Sequence, residues 1–554
     1  MNSCDPLNEI SNIPYWPQEF VDRYIADGLW TKDTFGDELY KISSIMGDKV
    51  AVTDNDKKLS FEALNKSVNE LALGFLNLGL QKKDIVIVQL PNSIEFIEIT
   101  FALFRIGVIP IFALPAHREN ELNSFCSFTK ARAYITADMI AGYDHCTLAS
   151  SLQEKFSFLK YVIIVGKEDK EININSLRNN SISLPLPLPQ IDAQDIACFQ
   201  LSGGTTGIPK LIVRRHQDYL YNVRACIAAC HFNKDTTYLA VLPMGHNFPM
   251  ACPGFIGTIL AGGHVVITRS AVASECFDLI EQEEVTVTAL VPPLAMVWLD
   301  AASIFKPDIP SLQVLQVGGA RLSNEAARQV EPTLGCKLQQ VFGMAEGLIC
   351  FTDLNDSEEI VTTTQGKPMS VADEVRVVDE LGHPVPDGEV GYILTRGPYT
   401  IRGYFGQNEA NKTSFTEDGF YKSGDLVRKI AGYLIVEGRD KDQIIQGGEN
   451  ISIEEIEGIL IKHSAIIDAV IVGLPDEYYG ERICAFVLCK TPPTTENDLR
   501  LFLKNQGLAP FKIPYRFEFL DQFPTTGVGK ISKKELRKEL LKMHLEQEKI
   551  KKVI

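Results

Sequence analysis

The stretch "CFQLSGGTTGIPKLIVRRH" (residues 198–216) places a run of glycines and hydroxyl side chains between two apolar segments. Such a run is a poor former of a packed element, so the sequence predicts a loop. Glycine lets backbone N–H groups approach an anion, the hydroxyls can donate to it, and a nearby lysine adds positive charge. The loop is therefore a candidate phosphate site, with a surface turn as the alternative. The candidate residues are Ser202, Gly203, Gly204, Thr205, Thr206, Gly207 and Lys210.

The P-loop of ATPases and kinases is the obvious phosphate cradle, but its pattern GxxxxGK[ST] is absent. Lys210 follows Gly207 by three residues, with Pro209 between them. A second segment, "TTGVGKIS" (525–532), has Pro524 where the first glycine belongs and Ile531 after the lysine. A P-loop ATPase or a nucleotide-binding protein without enzymatic activity is kept as the competing class.

Composition limits the remaining classes. A chain of 554 residues with 45% apolar content exceeds what one core usually organises, so two or more domains are expected. The net charge of −17 opposes broad attraction to nucleic acid or anionic lipid, and we expect small molecules or proteins as partners. The 12 cysteines are scattered without a CxxC repeat, which indicates neither a zinc site nor a disulfide framework.

Targeting signals are also missing from the sequence pattern. The start, "MNSCDPLNEI", carries acidic residues where a signal peptide needs a basic one, and the apolar runs are shorter than a membrane span. We therefore expect a soluble, cytoplasmic protein with reduced cysteines and no membrane partner.

The alternation of strand-like and helical segments predicts the fold class. Apolar, β-branched runs alternate with helical patterns such as "FEALNKSVNELALGFLNLGL" (61–80), which predicts an α/β protein with largely parallel sheets. Near residue 366 the strands become shorter, and "DEVRVVDELGHPVPDGEVGYILTRG" (373–397) predicts a β-hairpin in a small barrel or subdomain. A second αβ region follows three charged residues, 439–441. The strand-like runs are "DIVIVQL" (84–90), "GHVVIT" (263–268) and "LQVLQVGG" (312–319).

Five motifs occur in a fixed order along the chain. They are "SGGTTGIPK" (202–210), "QQVFGMAEG" (339–347), "YKSGDL" (421–426), "EGRDKDQIIQGGENI" (437–451) and "PTTGVGKISKKEL" (524–536). This ordered set resembles the adenylate-forming superfamily of acyl-CoA synthetases, luciferases and peptide-synthetase adenylation domains. The resemblance implies a large N-terminal domain, 1–438, built from two αβ sheets and a barrel-like part. It also implies a hinge at 439–441 centred on Asp440 and a small, mobile α+β C-terminal domain, 442–554.

Further segments resemble one group within that superfamily. "LPMGHNFPMACPG" (242–254), "VTALVPP" (287–293), "LQVGGARL" (315–322), "TQGKPM" (364–369) and "TRGPYTIRGYF" (395–405) are similar to stand-alone aryl acid-AMP ligases of siderophore biosynthesis. The resemblance implies ATP and Mg²⁺ as cofactors, an aryl acid as substrate and the phosphopantetheine thiol of an aryl carrier protein as acceptor. "QGGENI" (446–451) resembles the loop that lines the thiol tunnel in that family.

The resemblance also assigns nucleotide contacts. The loop at 202–210 becomes the cradle for the β- and γ-phosphates, Glu346 the Mg²⁺ carboxylate, Asp425 the acceptor of both ribose hydroxyls and Arg439 the hinge arginine near the ribose. Lys530 is expected to bridge the carboxylate and the α-phosphate in adenylation, a task that suits a point charge. The adenine slot and its flanking turn would use Gly318, Gly319, Ala320, Val341, Phe342, Gly343, Met344 and Ala345.

The acid pocket is implied by the same resemblance. His246 is expected beside the carboxylate, Asn247 at the ortho hydroxyl, and Cys252 with Ile349 at the meta position, lined further by Phe248, Gly319 and Val341. At the two meta positions, dihydroxybenzoate enzymes of the family commonly carry Ser and Val, whereas salicylate enzymes carry Cys and Leu. The pair Cys252 and Ile349 is therefore a mixed signature. We expect 2,3-dihydroxybenzoate, with salicylate and then an acyl-CoA or aryl-CoA ligase as alternatives.

Overall fold

The computed structural model describes residues 13–166, 172–180, 187–202, 210–439, 443–476, 478–489, 494–524, 533 and 536–543. The chain divides into two compact units, and the first ends at Gly438. The second contains Arg439–Ile554 and the short segment Ala116–Glu121. The hinge at 439–441 stays a prediction, because Asp440 and residue 441 lie outside the described residues.

The larger sheet of the first unit has nine strands. Its six central strands run parallel, and antiparallel strands complete both ends. In spatial order the strands are Lys367–Pro368, Ile349–Phe351, Lys337–Gly343, Val314–Gly318, Val287–Leu290, Thr237–Ala240, His264–Ile267, Val50–Asp54 and Lys57–Ser60.

A second sheet of this unit has seven strands, which run parallel except for the hairpin at one end. Every residue of the strand Ile85–Gln89 is buried, because parallel sheets are covered on both faces and so read as continuous apolar runs. In spatial order the strands are Lys210–Arg215, Ile196–Ser202, Ile109–Phe112, Ile85–Gln89, Ala133–Ala137, Tyr161–Val165 and Ile172–Asn173. Met139–Ile140 and Tyr143–Asp144 form a separate two-stranded ribbon.

Helices connect these parallel strands. The helix Phe61–Leu78 begins where the Ser60 hydroxyl accepts from the Ala63 N–H, and it ends at Gly79 in a left-handed conformation. Its buried residues recur at three- and four-residue spacing, as its sequence predicts. The other helices before Gly438 are Gln18–Ala26, Phe35–Met46, Ile94–Ile106, Glu119–Thr129, His145–Lys155, Ile174–Asn180, His216–Ala229, Asn247–Ala251, Gly254–Leu260, Ala273–Gln282, Pro292–Phe305, Asn324–Leu334, Glu358–Thr363 and Asn408–Ser414.

The first unit ends in a four-stranded sheet. Glu374–Val378 pairs antiparallel with Val390–Arg396, which confirms the hairpin expected from 373–397. Tyr421–Ile430 and then Tyr433–Arg439 follow in spatial order. The described part of the expected barrel-like region is thus an antiparallel sheet, and the α/β class predicted for the chain is confirmed.

The second unit combines a five-stranded sheet with helices, as expected of an α+β domain. Ile466–Asp476 and Gly480–Cys489 form a long antiparallel hairpin, and one hydrophobic cluster of the unit is mainly aliphatic. Glu449–Ser452, Gln443–Gln446 and Arg516–Leu520 complete the sheet. The helices are Ile453–Leu460 and Glu496–Asn505, with a 3₁₀ turn at Pro510–Lys512 and helical residues at 536–543.

None of the helices in the described ranges combines the length and the apolar character that a bilayer crossing requires. Eleven cysteines of the same ranges are free thiols, and most of them are buried.

Candidate active site

The predicted phosphate loop is flanked by a hairpin of the seven-stranded sheet. Ser202 lies opposite Lys210 where the two strands meet the loop, and the Lys210 ammonium lies 4.8 Å from the centre of the Tyr404 ring. The expected loop residues Gly203, Gly204, Thr205, Thr206 and Gly207 lie outside the described residues. What the structure gives is the position of the two residues that bound the loop.

Glu346 lies in the turn between the strands Lys337–Gly343 and Ile349–Phe351, and its side chain is buried. The Tyr404 hydroxyl donates to Glu346 Oε1 over 2.8 Å and lies 3.0 Å from the Tyr421 hydroxyl. The other carboxylate oxygen has no hydrogen-bond partner in the described part of the chain. Burial, reinforced by the neighbouring carboxylate, raises the pKa of Tyr404 well above its ordinary value, so the tyrosine stays a donor.

A buried arginine that the sequence reasoning missed holds this turn. Arg214 is fully buried on the strand Lys210–Arg215 and donates to the carbonyl oxygens of Ala345 and Tyr399. The Asp218 carboxylate lies 3.5 Å from the guanidinium. Because Ala345 directly precedes Glu346, the arginine links the strand after the phosphate loop to the turn that carries the carboxylate.

Gly347 allows the Glu346 turn to approach its neighbours. Its φ is +110°, and a Cβ there would lie 2.4 Å from the Tyr399 carbonyl oxygen. Any other residue would force the turn away from Tyr399, whose carbonyl is also bound by Arg214. The position of Glu346 therefore depends on a glycine at its C-terminal side.

Tyr399 connects the same region to an acid, Asp373, that is half-buried as a residue and has a buried carboxylate oxygen. Its hydroxyl accepts from the Ile349 N–H over 3.0 Å and donates to Asp373 Oδ2 over 2.7 Å. The other oxygen of Asp373 is buried with no hydrogen-bond partner in the described ranges. Burial raises the pKa of Asp373 to about 7, against the smaller effect of the Tyr399 hydrogen bond.

Asp425 lies at an irregularity of the strand Tyr421–Ile430. Tyr392 pairs with Leu426 and Leu394 pairs with Lys422, so a step of two residues on the partner strand corresponds to a step of four on this one. Gly424 has φ +82°, and the Asp425 N–H donates to the Ser423 hydroxyl over 3.1 Å. Bulges of this kind re-aim a side chain, and Asp425 is buried.

The short helix Asn247–Ala251 carries three of the expected acid contacts at its ends. His246 caps it, because its Nδ1 accepts from the Phe248 N–H over 3.3 Å. The neutral imidazole then carries its proton on Nε2, which makes that nitrogen the donor of the ring.

Asn247 and Cys252 form a buried polar pair. Only 6% of Asn247 and 4% of Cys252 is exposed, and the Asn247 Nδ2 donates to the Cys252 sulfur over 3.3 Å. The Asn247 Oδ1 accepts from the Tyr219 hydroxyl over 2.7 Å. Tyr219, on the helix His216–Ala229, is a neighbour that the sequence analysis did not identify.

The remaining acid contacts are apolar. Gly318 and Val341 are opposite each other in adjacent strands, and a Cβ on Gly318 would lie 3.0 Å from the Val341 side chain and 3.2 Å from the Phe248 ring. Ile349, on the next strand, is buried, and a Cβ on Gly343 would lie 3.2 Å from it. The structure thus brings Phe248, Gly318 and Val341 together.

Other predicted residues are located without a contact that tests their role. Gly319 is exposed with φ +87°, and Gly343 is exposed, while Ala320, Phe342 and Met344 are half-buried. The strand Tyr433–Arg439 ends at the expected hinge arginine. Lys530 and Asp440 lie outside the described residues. The roles of all these residues stay predictions.

The chain is similar to known proteins over nearly its whole length. Residues 43–405 match the family described as "AMP-binding enzyme", and residues 455–530 match "AMP-binding enzyme C-terminal domain". The chain is 49% identical over 526 residues to "2,3-dihydroxybenzoate-AMP ligase" of Bacillus subtilis, covering 95% of this chain and 97% of that protein. It is 49% identical over 540 residues to "Pyochelin synthase PchD" of Pseudomonas aeruginosa, covering 96% and 97%.

A solved structure agrees over the same length. The apo structure of MbtA from Mycobacterium smegmatis superposes with a TM-score of 0.74 at 39% identity, covering 96% of this chain and 99% of that one. The aligned residues include parts of both units. The first family match covers most of the first unit, and the second covers most of the second unit. The chain belongs to the AMP-binding enzyme family.

Proposed function

We propose that this chain activates an aryl acid, 2,3-dihydroxybenzoate by preference, by joining it to ATP with release of pyrophosphate. The observation that carries the proposal is the Asn247 and Cys252 pair, a buried amide and thiol beside the apolar Phe248 and Val341. A pocket lined by apolar groups with a few placed polar ones suits an aromatic ring that bears hydroxyls. A fatty acyl chain carries no acceptor that could bind a buried amide N–H, so the donor would stay unsatisfied.

The relatives support this choice of acid without deciding it. Two proteins at the same 49% identity carry different names, 2,3-dihydroxybenzoate-AMP ligase and pyochelin synthase. Overall similarity therefore supports aryl acid activation for siderophore biosynthesis, and the pocket has to select the acid. Salicylate is the second candidate, because the Cys252 thiol is a weak hydrogen-bonding group and Ile349 is apolar.

In the proposed reaction a carboxylate oxygen bonds to the α-phosphorus, and the bond from that phosphorus to the bridging oxygen of pyrophosphate breaks. Both reactants are anions, so positive charge has to offset their repulsion. We assign this role to Lys530 at the reacting centre and to Lys210 at the leaving pyrophosphate. His246 Nε2–H is the donor proposed for the carboxylate, and Asp425 the acceptor for the ribose hydroxyls.

The residues around Glu346 fit a magnesium ion that arrives with the nucleotide. No cluster of three or more metal-binding side chains occurs in the described ranges, and among those same residues one carboxylate oxygen of Glu346 has no hydrogen-bond partner. Mg²⁺ is usually held by one or two carboxylates together with water and phosphate oxygens, so a single buried carboxylate is sufficient. When bound, the ion would offset the charge of the phosphates.

We propose a second step in which the thiol of a phosphopantetheinylated aryl carrier protein attacks the acyl carbon and AMP leaves. The motif "QGGENI" (446–451) motivates this step through its resemblance to a thiol tunnel. Reduced thiols along the described chain are consistent with a cytoplasmic location, which we propose for the enzyme.

ATP–pyrophosphate exchange across a panel of acids tests the first step. We expect exchange with 2,3-dihydroxybenzoate and salicylate, and little with benzoate or fatty acids. Exchange with fatty acids alone would contradict the aryl assignment, and no exchange with any acid would favour a nucleotide-binding protein without this activity. Loading of a carrier protein, measured by mass, tests the second step separately.

Replacing Cys252 by serine tests which acid the pocket selects. A hydroxyl both donates and accepts more strongly than a thiol, so Cys252→Ser should favour 2,3-dihydroxybenzoate over salicylate by about tenfold in kcat/KM. The ratio of kcat/KM for the two acids is the measurement, and Cys276→Ser, at a buried cysteine of another core, is the control. An unchanged ratio would show that Cys252 does not contact the ring.

A further inference from the structure

We propose that Tyr219 is a positioning residue that orients the Asn247 amide, so that its NH₂ group faces the bound acid and selects an acceptor at the ortho position. Gln200 and Met250 set the direction of the Tyr219 hydroxyl. The inference rests on the proposed function, because it assumes that the acid binds beside Asn247. It extends that function to side chains outside the acid pocket.

Met250 fixes the orientation of the Gln200 amide, and that orientation sets the direction of the hydrogen bonds that follow. The Gln200 Nε2 lies 3.0 Å from the Met250 sulfur. A thioether can accept a hydrogen bond but cannot donate one, so the amide nitrogen of Gln200 and not its oxygen must face this side. Gln200 is buried on the strand Ile196–Ser202, which leads into the predicted phosphate loop.

The same amide nitrogen then constrains Tyr219. Gln200 Nε2 donates to the Tyr219 hydroxyl oxygen over 3.2 Å. The single proton of Tyr219 is therefore available for Asn247 Oδ1, which lies 2.7 Å away. Tyr219 is fully buried, and burial raises its pKa well above the ordinary value, so this proton is retained at physiological pH.

The Tyr219 hydroxyl in turn decides which way the Asn247 amide points. A flipped amide would present N–H groups to a hydroxyl oxygen that already accepts from Gln200, and the Tyr219 proton would lose its acceptor. In the orientation of the structure, both N–H groups point away from Tyr219. One donates to the Cys252 sulfur, and the other has no hydrogen-bond partner in the described part of the chain.

That remaining N–H is the chemical basis of selection. A nearly buried donor without a partner favours a ligand that supplies an acceptor, and an ortho hydroxyl oxygen does so. Benzoate offers only a C–H at that position, and the amino group of 2-aminobenzoate is mainly a donor. The arrangement therefore selects 2-hydroxybenzoates as a class, whether or not a second hydroxyl is present.

Tyr219→Phe removes the hydroxyl and keeps the buried ring. We expect kcat/KM for 2-hydroxybenzoate to fall about tenfold, the change that loss of one net hydrogen bond gives, while kcat/KM for benzoate stays constant. A structural defect would lower both values together, so the ratio is the informative readout. Tyr238→Phe is the matched control, because Tyr238 is also fully buried and its hydroxyl has no partner among the described residues.

A double-mutant cycle shows whether the effect passes through Asn247. In an Asn247→Ala background, Tyr219→Phe should leave the ratio of the two acids unchanged, because the group that Tyr219 orients is gone. A further fall in that background would overturn the proposed positioning role. So would a Tyr219→Phe enzyme that keeps the full ratio of the wild type.

The wild-type ratio separates the two proposals. If the wild type shows no preference for 2-hydroxybenzoate over benzoate, the proposed function and the positioning role both fail. If the wild type shows the preference and Tyr219→Phe retains it, only the positioning role fails. Thermal unfolding of each variant confirms that the compared enzymes are folded.

Discussion

Two buried carboxylates near the candidate site have different surroundings. Asp425 lies at a bulge next to Gly424, with its side chain buried and its N–H bonded to Ser423. Asp373 accepts one hydrogen bond from Tyr399, and burial raises its pKa to about 7. We expect the first to bind the nucleotide and the second to make stability depend on pH, so each supports its own test.

Asp425→Asn should raise the KM for ATP by about tenfold or more, because hydrogen bonds to a charged group contribute about 1.5 to 3 kcal/mol each. An amide keeps the size of the side chain but retains only one acceptor oxygen for the two ribose hydroxyls. The KM for the acid should stay within about twofold, because a substitution away from a contact usually changes a free energy by less than about 0.5 kcal/mol. An unchanged KM for ATP in steady-state exchange would show that Asp425 has a purely structural role in its turn.

Asp373→Asn should remove a pH dependence of stability. Because the folded pKa of this acid is raised, the folded state holds the proton more tightly than the unfolded state. Relative to the variant, the wild-type free energy of unfolding should therefore fall as pH rises from about 4 to about 7, by at most about 1.4 kcal/mol per pH unit, and then level off. Urea unfolding of both proteins at several pH values gives the difference, and parallel curves would contradict the prediction.

The turn at 344–348 is the element on which the site depends most. It carries Glu346, its Ala345 carbonyl is bound by Arg214, and its Gly347 lies against the Tyr399 carbonyl. Two separate parts of the first unit, the strand of Arg214 and the segment of Tyr399, therefore fix one short turn. We expect a local change in the turn to displace Glu346, the proposed magnesium ligand, before it affects other parts of the site.

Gly347→Ala should lower both exchange activity and stability, because the added Cβ meets the Tyr399 carbonyl at 2.4 Å in addition to an unfavourable φ. The backbone strain costs about 1 to 3 kcal/mol, and displacement of Glu346 should reduce exchange at least about tenfold. Gly388→Ala is the matched control, since Gly388 has φ +93° with no atom within 4 Å of its Cβ position. The control should lose stability and keep its activity; equal activities of the two variants would rule out a clash at Gly347.

Elements were predictable from the sequence where the signal is local. The run "DIVIVQL" forms the strand Ile85–Gln89, because burial on both faces of a sheet requires consecutive apolar residues. The hairpin at 373–397 was predicted because turn residues separate its two strands in the sequence. Asn247 and Cys252 were identified through family motifs, and the structure pairs them.

The supporting side chains were not predictable in the same way. Arg214 binds a carbonyl 185 positions away, and Tyr404 binds Glu346 from 58 positions away. An isolated arginine in a strand, or a tyrosine in "TRGPYTIRGYF", looks like an ordinary residue, because its role depends on which distant segment the fold brings beside it. Tyr219 was missed for the same reason.

At the level of the whole molecule, the family resemblance predicts two half-reactions that mutation can separate. Lys530→Ala should abolish pyrophosphate exchange, where its charge offsets two anions, and leave transfer from supplied aryl adenylate to the carrier largely intact. Asp440→Pro fixes φ near about −65° and should keep exchange while lowering carrier loading by orders of magnitude. Both assays on both variants are the measurement, and parallel losses would contradict a hinged mechanism.

The helix Asn247–Ala251 contains Asn247 and Phe248 and is followed directly by Cys252. These acid contacts therefore lie in one short segment, which could be exchanged as a cassette to change acid preference. The amide of that cassette is oriented by Tyr219 and Gln200, which lie on other segments. A graft of residues 246–253 into another scaffold would transplant the donor without its orientation. Redesign of acid preference should therefore transfer Tyr219 and Gln200 together with the helix. Mutant libraries restricted to the residues that line the pocket would leave out these two orienting side chains.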